Sequence, residues 1–251
     1  MHGVGVRAVK NIQELRQRAT KTPTKGIPAP LRDTARRALI AWVDTAIQHQ
    51  MSLNDVLRRL RDGEAAETVG RAAIAPQLID PNGPVSQAAC ASGCAFCCIL
   101  TGEDGGTITR LEAQRLYAAL APLKGEPDGR VWHRKACPSL DPATQICRAY
   151  AARPMICRSY ISSDVRACET IANGSPAEGA GVLGAQTLYL AVLILSRTLL
   201  KGIVRVPTYN LSRVAAGAVD GEDAEAVLEA ALHVPRELES EIARQAQVLK
   251  R

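Results

Sequence analysis

Aromatic residues are scarce in this 251-residue chain, which has two Trp, five Tyr and one Phe. That scarcity argues against a sheet-rich core, while the abundance of Ala, Leu and Arg favours helices. Long hydrophobic runs are also missing. The most apolar stretch, Val182 to Ser196, contains Gln186 and stops at Arg197. It falls short of the roughly 20 residues needed to cross a bilayer, so a buried core helix is expected. The opening "MHGVGVRAVKN" has no apolar h-region, which predicts a cytoplasmic protein in a reducing compartment. No Ser-His-Asp set or paired-carboxylate motif presents itself, and "GEDGG" at 102–106 lacks the lysine of a phosphate-binding loop.

Positive charge is abundant but concentrated. Residues 1–40 hold nine Lys or Arg against Glu14 and Asp33, and the remainder is close to neutral. Without interleaved aromatics or a reading module, this stretch predicts a solvated basic arm and no nucleic-acid partner. The prolines of "TPTKGIPAP" close it, so residues 1–30 read as a loose tail and linker.

The expected fold class is mainly α: a helical scaffold around an irregular cysteine-rich module. Leu39, Ile40, Val43, Ala46 and Ile47 recur at helical spacing, as do Leu53, Val56, Leu57 and Leu60 after the cap candidate Ser52. These mark an N-terminal helical segment over 31–80, which gives way to an irregular connection in "APQLIDPNGPVS". Thr109 with Glu112 predicts a capping box for a helix through Leu120. The stretch from Cys137 to Cys168 reads as loops or short strands within a module spanning 81–170. The C-terminal segment, 171–251, predicts helices over about 183–203, 209–232 with a break near Gly221, and 235–250.

The eight cysteines are Cys90, Cys94, Cys97, Cys98, Cys137, Cys147, Cys157 and Cys168; none occurs before 90 or after 168. Buried packing would scatter them. Disulfides suit a small secreted domain better than a chain of this size, and a bond between the neighbours Cys97 and Cys98 would be strained. A C-x-x-C redox pair needs no further thiols and a βαβ setting that is not evident here.

Metal ligation needs several soft donors round one centre. Close spacing supplies two or three locally, and a distant segment brings the rest. Cys90, Cys94, Cys97 and Cys98 form the local set; Cys137, Cys147 and Cys157 arrive from the second segment, with Cys168 a further candidate. Successive side chains diverge, so Cys97 and Cys98 could serve different metals or different corners of a cluster. Zinc and an iron–sulfur cluster both favour thiolates, and spacing does not separate them.

Arg134, Lys135, Arg148, Arg153, Arg158 and Arg166 flank the second cysteine group and could neutralise a thiolate site, Arg158 foremost. His133 is a structural residue or a substitute ligand, and Asp141 a turn-stabilising carboxylate.

"CASGCAFCC", "CPSLDPATQIC" and "CRAYAARPMICRSY" together resemble the YkgJ-type cysteine-cluster family of zinc- or iron-chelating proteins over about residues 88–160. The resemblance implies that the matching cysteines are metal ligands. One branch of that family looks like flagellin lysine methylases, which implies a group-transfer enzyme as an alternative. Cys90-x3-Cys94-x2-Cys97 also resembles the radical S-adenosylmethionine signature, in which three cysteines hold a [4Fe–4S] cluster, but the strand–helix alternation of its barrel is missing. The function expected is therefore metal binding, with an iron–sulfur enzyme or a zinc-stabilised protein-interaction module as the alternatives. The partner or substrate of either is left open.

Overall fold

The structure, a computed structural model, describes residues 9–24, 26–100 and 105–248, without the side chains of 245–248. Arg7, Lys25 and most of "GEDGG" lie outside the described residues. In chain order the helices and strands are α1 (Ile12–Lys21), α2 (Ala29–Gln48), α3 (Leu53–Asp62), α4 (Glu64–Ile79), β1 (Thr107–Ile108), α5 (Arg110–Leu120), α6 (Gly129–Trp132), α7 (Met155–Ser159), β2 (Tyr160–Ser162), α8 (Val165–Ala172), β3 (Ala180–Val182), α9 (Gly184–Leu199), β4 (Tyr209–Asn210), α10 (Leu211–Val219), α11 (Ala224–Ala230) and α12 (Glu237–Val248). The protein is mainly α; the strands are only two or three residues long and form two antiparallel pairs. No helix among the described residues is long and apolar enough to cross a membrane.

Two compact units divide the chain. The first comprises Met1–Ala72, Thr187–Pro207 and Pro235–Arg251. Part of the expected loose tail is ordered in this unit. The Asn11 side chain accepts the Glu14 N–H at 2.9 Å and starts α1, whose Ile12, Leu15 and Ala19 are buried. Helix α1 packs on α2, and Arg16 pairs with Asp44 across them. Apolar periodicity over ten residues outweighs the basic composition. Ser52 caps α3 as expected, and Gly63, at φ +88°, ends it in the left-handed conformation and turns the chain into α4. Helix α4 then continues through Pro76 to Ile79, inside the stretch expected to be irregular. In α9, Tyr189 to Ser196 are all buried, the signature of a core helix apolar on every side.

The second unit comprises Ala73–Gln186 and Thr208–Val234. Helices α5, α10 and α11 surround a core that includes Ile108, Leu116, Leu120, Val214 and Val227. The pairing of β1 with β4 sets Ile108 opposite Tyr209. The predicted break falls at Gly221, φ +76°, and Tyr117 closes the loop by donating its hydroxyl to the Glu222 carbonyl at 2.7 Å. The capping box of Thr109 and Glu112 is present. Helix α8 lies where loops or short strands were expected: Asp164 caps it through the Arg166 N–H, and Ala167, Cys168 and Ala172 are its buried face.

Candidate metal centre

All eight cysteines belong to the second unit, and main-chain pairing fastens their segments together. Cys94 to Cys98 run through a tight turn ending in a 3-10 helix at Phe96–Cys98. The Cys137 N–H donates to the Cys98 carbonyl at 2.8 Å, and the Leu100 N–H donates to the Lys135 carbonyl at 2.8 Å. Ile99 and Ala136 form a β-bridge between these two hydrogen bonds, and Leu140 and Cys147 form another. On the far side the Ala89 N–H donates to the Ser162 carbonyl at 2.7 Å, and the Cys90 thiol lies 3.9 Å from the same oxygen.

Six of the predicted residues, Cys94, Cys97, Cys98, Cys137, Cys147 and Cys157, line one pocket of about 200 Å³. Cys90 and Cys168 stand outside its lining, Cys90 exposed and Cys168 buried. Among the described residues no three His, Cys, Asp or Glu side chains already form a metal-holding group. The thiols share a pocket without being closed on a point.

Their electrostatics couple them. A hydrogen bond from the Cys98 thiol is the main influence that lowers Cys97 to about 7. The same bond, then burial and the charges of Cys97, Cys137 and Cys157, raise Cys98. Burial and then the neighbouring thiols raise Cys157. Burial likewise raises Cys137 and Cys147, and Arg153 and Arg148 pull Cys147 back. Burial and the charges of Cys168, Cys97 and Cys90 push the Tyr160 phenol up to about 12. Such a set resists collective ionisation unless a cation compensates it, and a thiophilic metal supplies that compensation. The donor set therefore fits both zinc and an iron–sulfur cluster.

The cations around the pocket are not equivalent. Arg158 is engaged by the backbone: its Nε donates to the Arg153 carbonyl at 2.7 Å and its Nη2 to the Ala151 carbonyl at 2.6 Å. Arg153 lines the pocket and stacks 3.7 Å above the Tyr150 ring, while its buried Nε has no partner within the protein. Arg148 pairs with Glu126 through Nη1 and has buried Nε and Nη2 groups without partners. Arg134, Lys135 and Arg166 are exposed.

His133 accepts the Lys135 N–H through Nδ1 at 3.2 Å, a local turn contact. Asp141 accepts the Ala143 and Thr144 N–H groups and the Thr144 hydroxyl, and these bonds hold its carboxyl below the usual range. This is the turn-stabilising arrangement expected of it.

Two supporting residues carried no metal signal in the sequence. Buried Glu112 completes the α5 cap through Oε2, and its Oε1 accepts the Met155 N–H at 2.7 Å, fixing the start of α7 and hence Cys157. Gly129 lies against the cysteine loop so closely that a Cβ there would collide with the Cys137 carbonyl oxygen and stand 2.9 Å from the Leu140 Cβ.

Residues 89–174 match the family model "CxxCxxCC: Putative zinc- or iron-chelating domain". Over that stretch the cysteine module is similar to the CxxCxxCC family. The match covers about a third of the chain and reaches beyond residue 160, so it takes in all eight cysteines, Cys168 included. Neither the curated proteins nor the solved structures contain a match to the chain.

Proposed function

We propose that the CxxCxxCC domain holds its metal through cysteine thiolates drawn from Cys90, Cys94, Cys97, Cys98, Cys137, Cys147, Cys157 and Cys168. The observation that carries this reading is the convergence of six thiols, from sequence positions 94 to 157, on one pocket. A single tetrahedral zinc uses four ligands, so this donor set favours a polynuclear centre or more than one centre. Arg148 and Arg153 present unpartnered buried N–H groups beside Cys147, as outer donors to metal-bound sulfur do. An iron–sulfur cluster would supply electron-transfer or Lewis-acid chemistry; zinc would supply folding free energy.

A second reading, an enzyme of the redox or group-transfer type, is favoured by one feature. Exposed Cys97, Tyr150 and Ile146 line the pocket and leave it open to a substrate.

Anaerobic purification followed by elemental analysis and absorption spectroscopy tests the proposal. Iron with acid-labile sulfide and a broad visible absorption bleached by oxidation identifies a cluster. Stoichiometric zinc in colourless protein identifies the structural role. Protein that contains neither metal, and takes up neither on reconstitution, contradicts both.

A further inference from the structure

Strands β2 and β3 pair antiparallel, and the outer edge of β3 is unused. The register sets Tyr160 opposite Val182, Ile161 opposite Gly181 and Ser162 opposite Ala180. Just beyond the ends, the Leu183 N–H donates to the Ser159 carbonyl at 2.8 Å and the Ser163 N–H to the Gly179 carbonyl at 2.9 Å. Hydrogen-bonded pairs alternate along such a ladder, so the odd-numbered residues bond across it. The main-chain groups of Ala180 and Val182 therefore point out of the far edge of β3. The same alternation turns the Ser162 carbonyl away from β3, where it accepts the Ala89 N–H at 2.7 Å. Among the described residues nothing bonds to the N–H or carbonyl of Ala180 or Val182. Both residues are partly exposed, and no charge or proline between Gly179 and Gly184 guards the edge.

Ile161, Gly179, Gly181 and Leu183 share the odd-numbered face and, with Pro84 and Gln87, line a groove of about 390 Å³. Tyr160, on the opposite face, lines the cysteine pocket, so the sheet stands between the two cavities. Polar side chains at the groove margin are already engaged: Gln87 donates to the Asn82 carbonyl at 3.4 Å, and the Ser163 hydroxyl to the Gly179 carbonyl at 3.2 Å. Gly181 leaves a gap in the floor, since a Cβ there would meet no atom within 4 Å. What remains is an apolar recess beside a row of free backbone donors and acceptors. A second copy of β3, paired symmetrically about Gly181, would set glycine against glycine and leave that recess empty.

We infer that the β3 edge docks an extended peptide segment of a partner protein, which adds as a further strand and lays a large apolar side chain over Gly181. Its main chain exchanges hydrogen bonds with Ala180 and Val182, and these supply affinity. The guest residue opposite Gly181 forms a pair without hydrogen bonds, the closer of the two spacings. Its side chain fills the recess that glycine leaves, and this supplies selectivity. The site stands apart from the cysteines and requires no particular metal.

The test titrates the full-length protein, as purified anaerobically, against the fluorescein-tagged peptide Thr-Val-Thr-Phe-Thr-Val-Thr and follows anisotropy up to about 1 mM. Binding is expected, and replacing the central Phe by Gly is expected to weaken it about tenfold. N-methylation of the third or the fifth peptide residue, whose N–H groups face β3, is expected to abolish binding. N-methylation of the central residue, whose N–H faces away, is expected to leave it unchanged. Val182→Pro removes an outward donor while sparing the ladder to β2, and is expected to weaken binding about tenfold with an unchanged thermal midpoint. Should that variant misfold, the methylated peptides decide on the unaltered protein. No binding by about 1 mM, equal binding of the Phe and Gly peptides, or no difference between methylation at the central and the flanking residues would overturn the proposal. So would an unaltered protein that sediments as a dimer and becomes monomeric on Val182→Pro, since the edge would then belong to a second copy.

Discussion

The Cys137 N–H and the Cys98 carbonyl are hydrogen-bonded at 2.8 Å, although 38 residues separate them. This bond sets two cysteine-bearing segments side by side before any metal is considered. This pairing is made by the main chain alone and uses no thiol. A metal bound as proposed would then have only to draw together side chains whose main chains are already neighbours.

Cys97 in metal-free protein should be the reactive thiol. With Cys98 donating a hydrogen bond to it, its alkylation by iodoacetamide should rise through a midpoint near pH 7, about two units below an ordinary thiol, because the thiolate is the nucleophile. Cys98→Ala removes the donor and should return the midpoint towards the ordinary value. Rates at Cys97, followed by peptide mass spectrometry against pH, measure it.

Glu112→Ala should destabilise the second unit by about 2 kcal/mol, through loss of a cap and of the buried acceptor for Met155. Because Met155 opens the helix that carries Cys157, the variant should also lose metal faster to a chelator. Denaturant unfolding and chelator kinetics read the two effects separately. Faster unfolding with unchanged metal release would deny Glu112 its link to the site.

Much of this was legible in the sequence. Ser52, the Thr109–Glu112 box, the Gly221 break and the buried helix after Val182 each follow from a local rule of capping, turn conformation or apolar periodicity. Helix α1 was masked by its charge, since Ile12, Leu15 and Ala19 are the only buried positions among many basic ones. Helix α8 was masked by its shortness, as eight residues hold barely two turns of pattern. The candidate site divides in the same way. Cysteine spacing announces convergence, but whether Arg158 or Arg153 faces the sulfurs depends on which backbone carbonyls lie within reach, and only the folded loop decides that. The need for glycine at 129 is likewise a long-range collision with no local trace.

Gly129→Ala should disrupt the cysteine loop. The new methyl meets backbone at Cys137, which cannot swing aside as a flexible side chain would. A cost of about 1–3 kcal/mol is expected, together with weaker metal retention. Thermal unfolding with and without added zinc measures both, and an unchanged midpoint would show that the loop yields freely.

Arg153→Ala should leave the fold in place and weaken the hold on metal by about tenfold, by removing a cation and an N–H donor beside Cys147. Arg153→Lys restores charge without the planar guanidinium and should recover only part of it. Competition with a chromophoric chelator gives the affinity, and equal loss in both variants would assign the effect to shape rather than charge.

X-ray absorption at the metal edge of anaerobically purified full-length protein tests the central claim most directly. The account predicts a first shell of sulfur, at about 2.3 Å if the metal is zinc, with four sulfurs per metal ion. A first shell dominated by oxygen or nitrogen would contradict it.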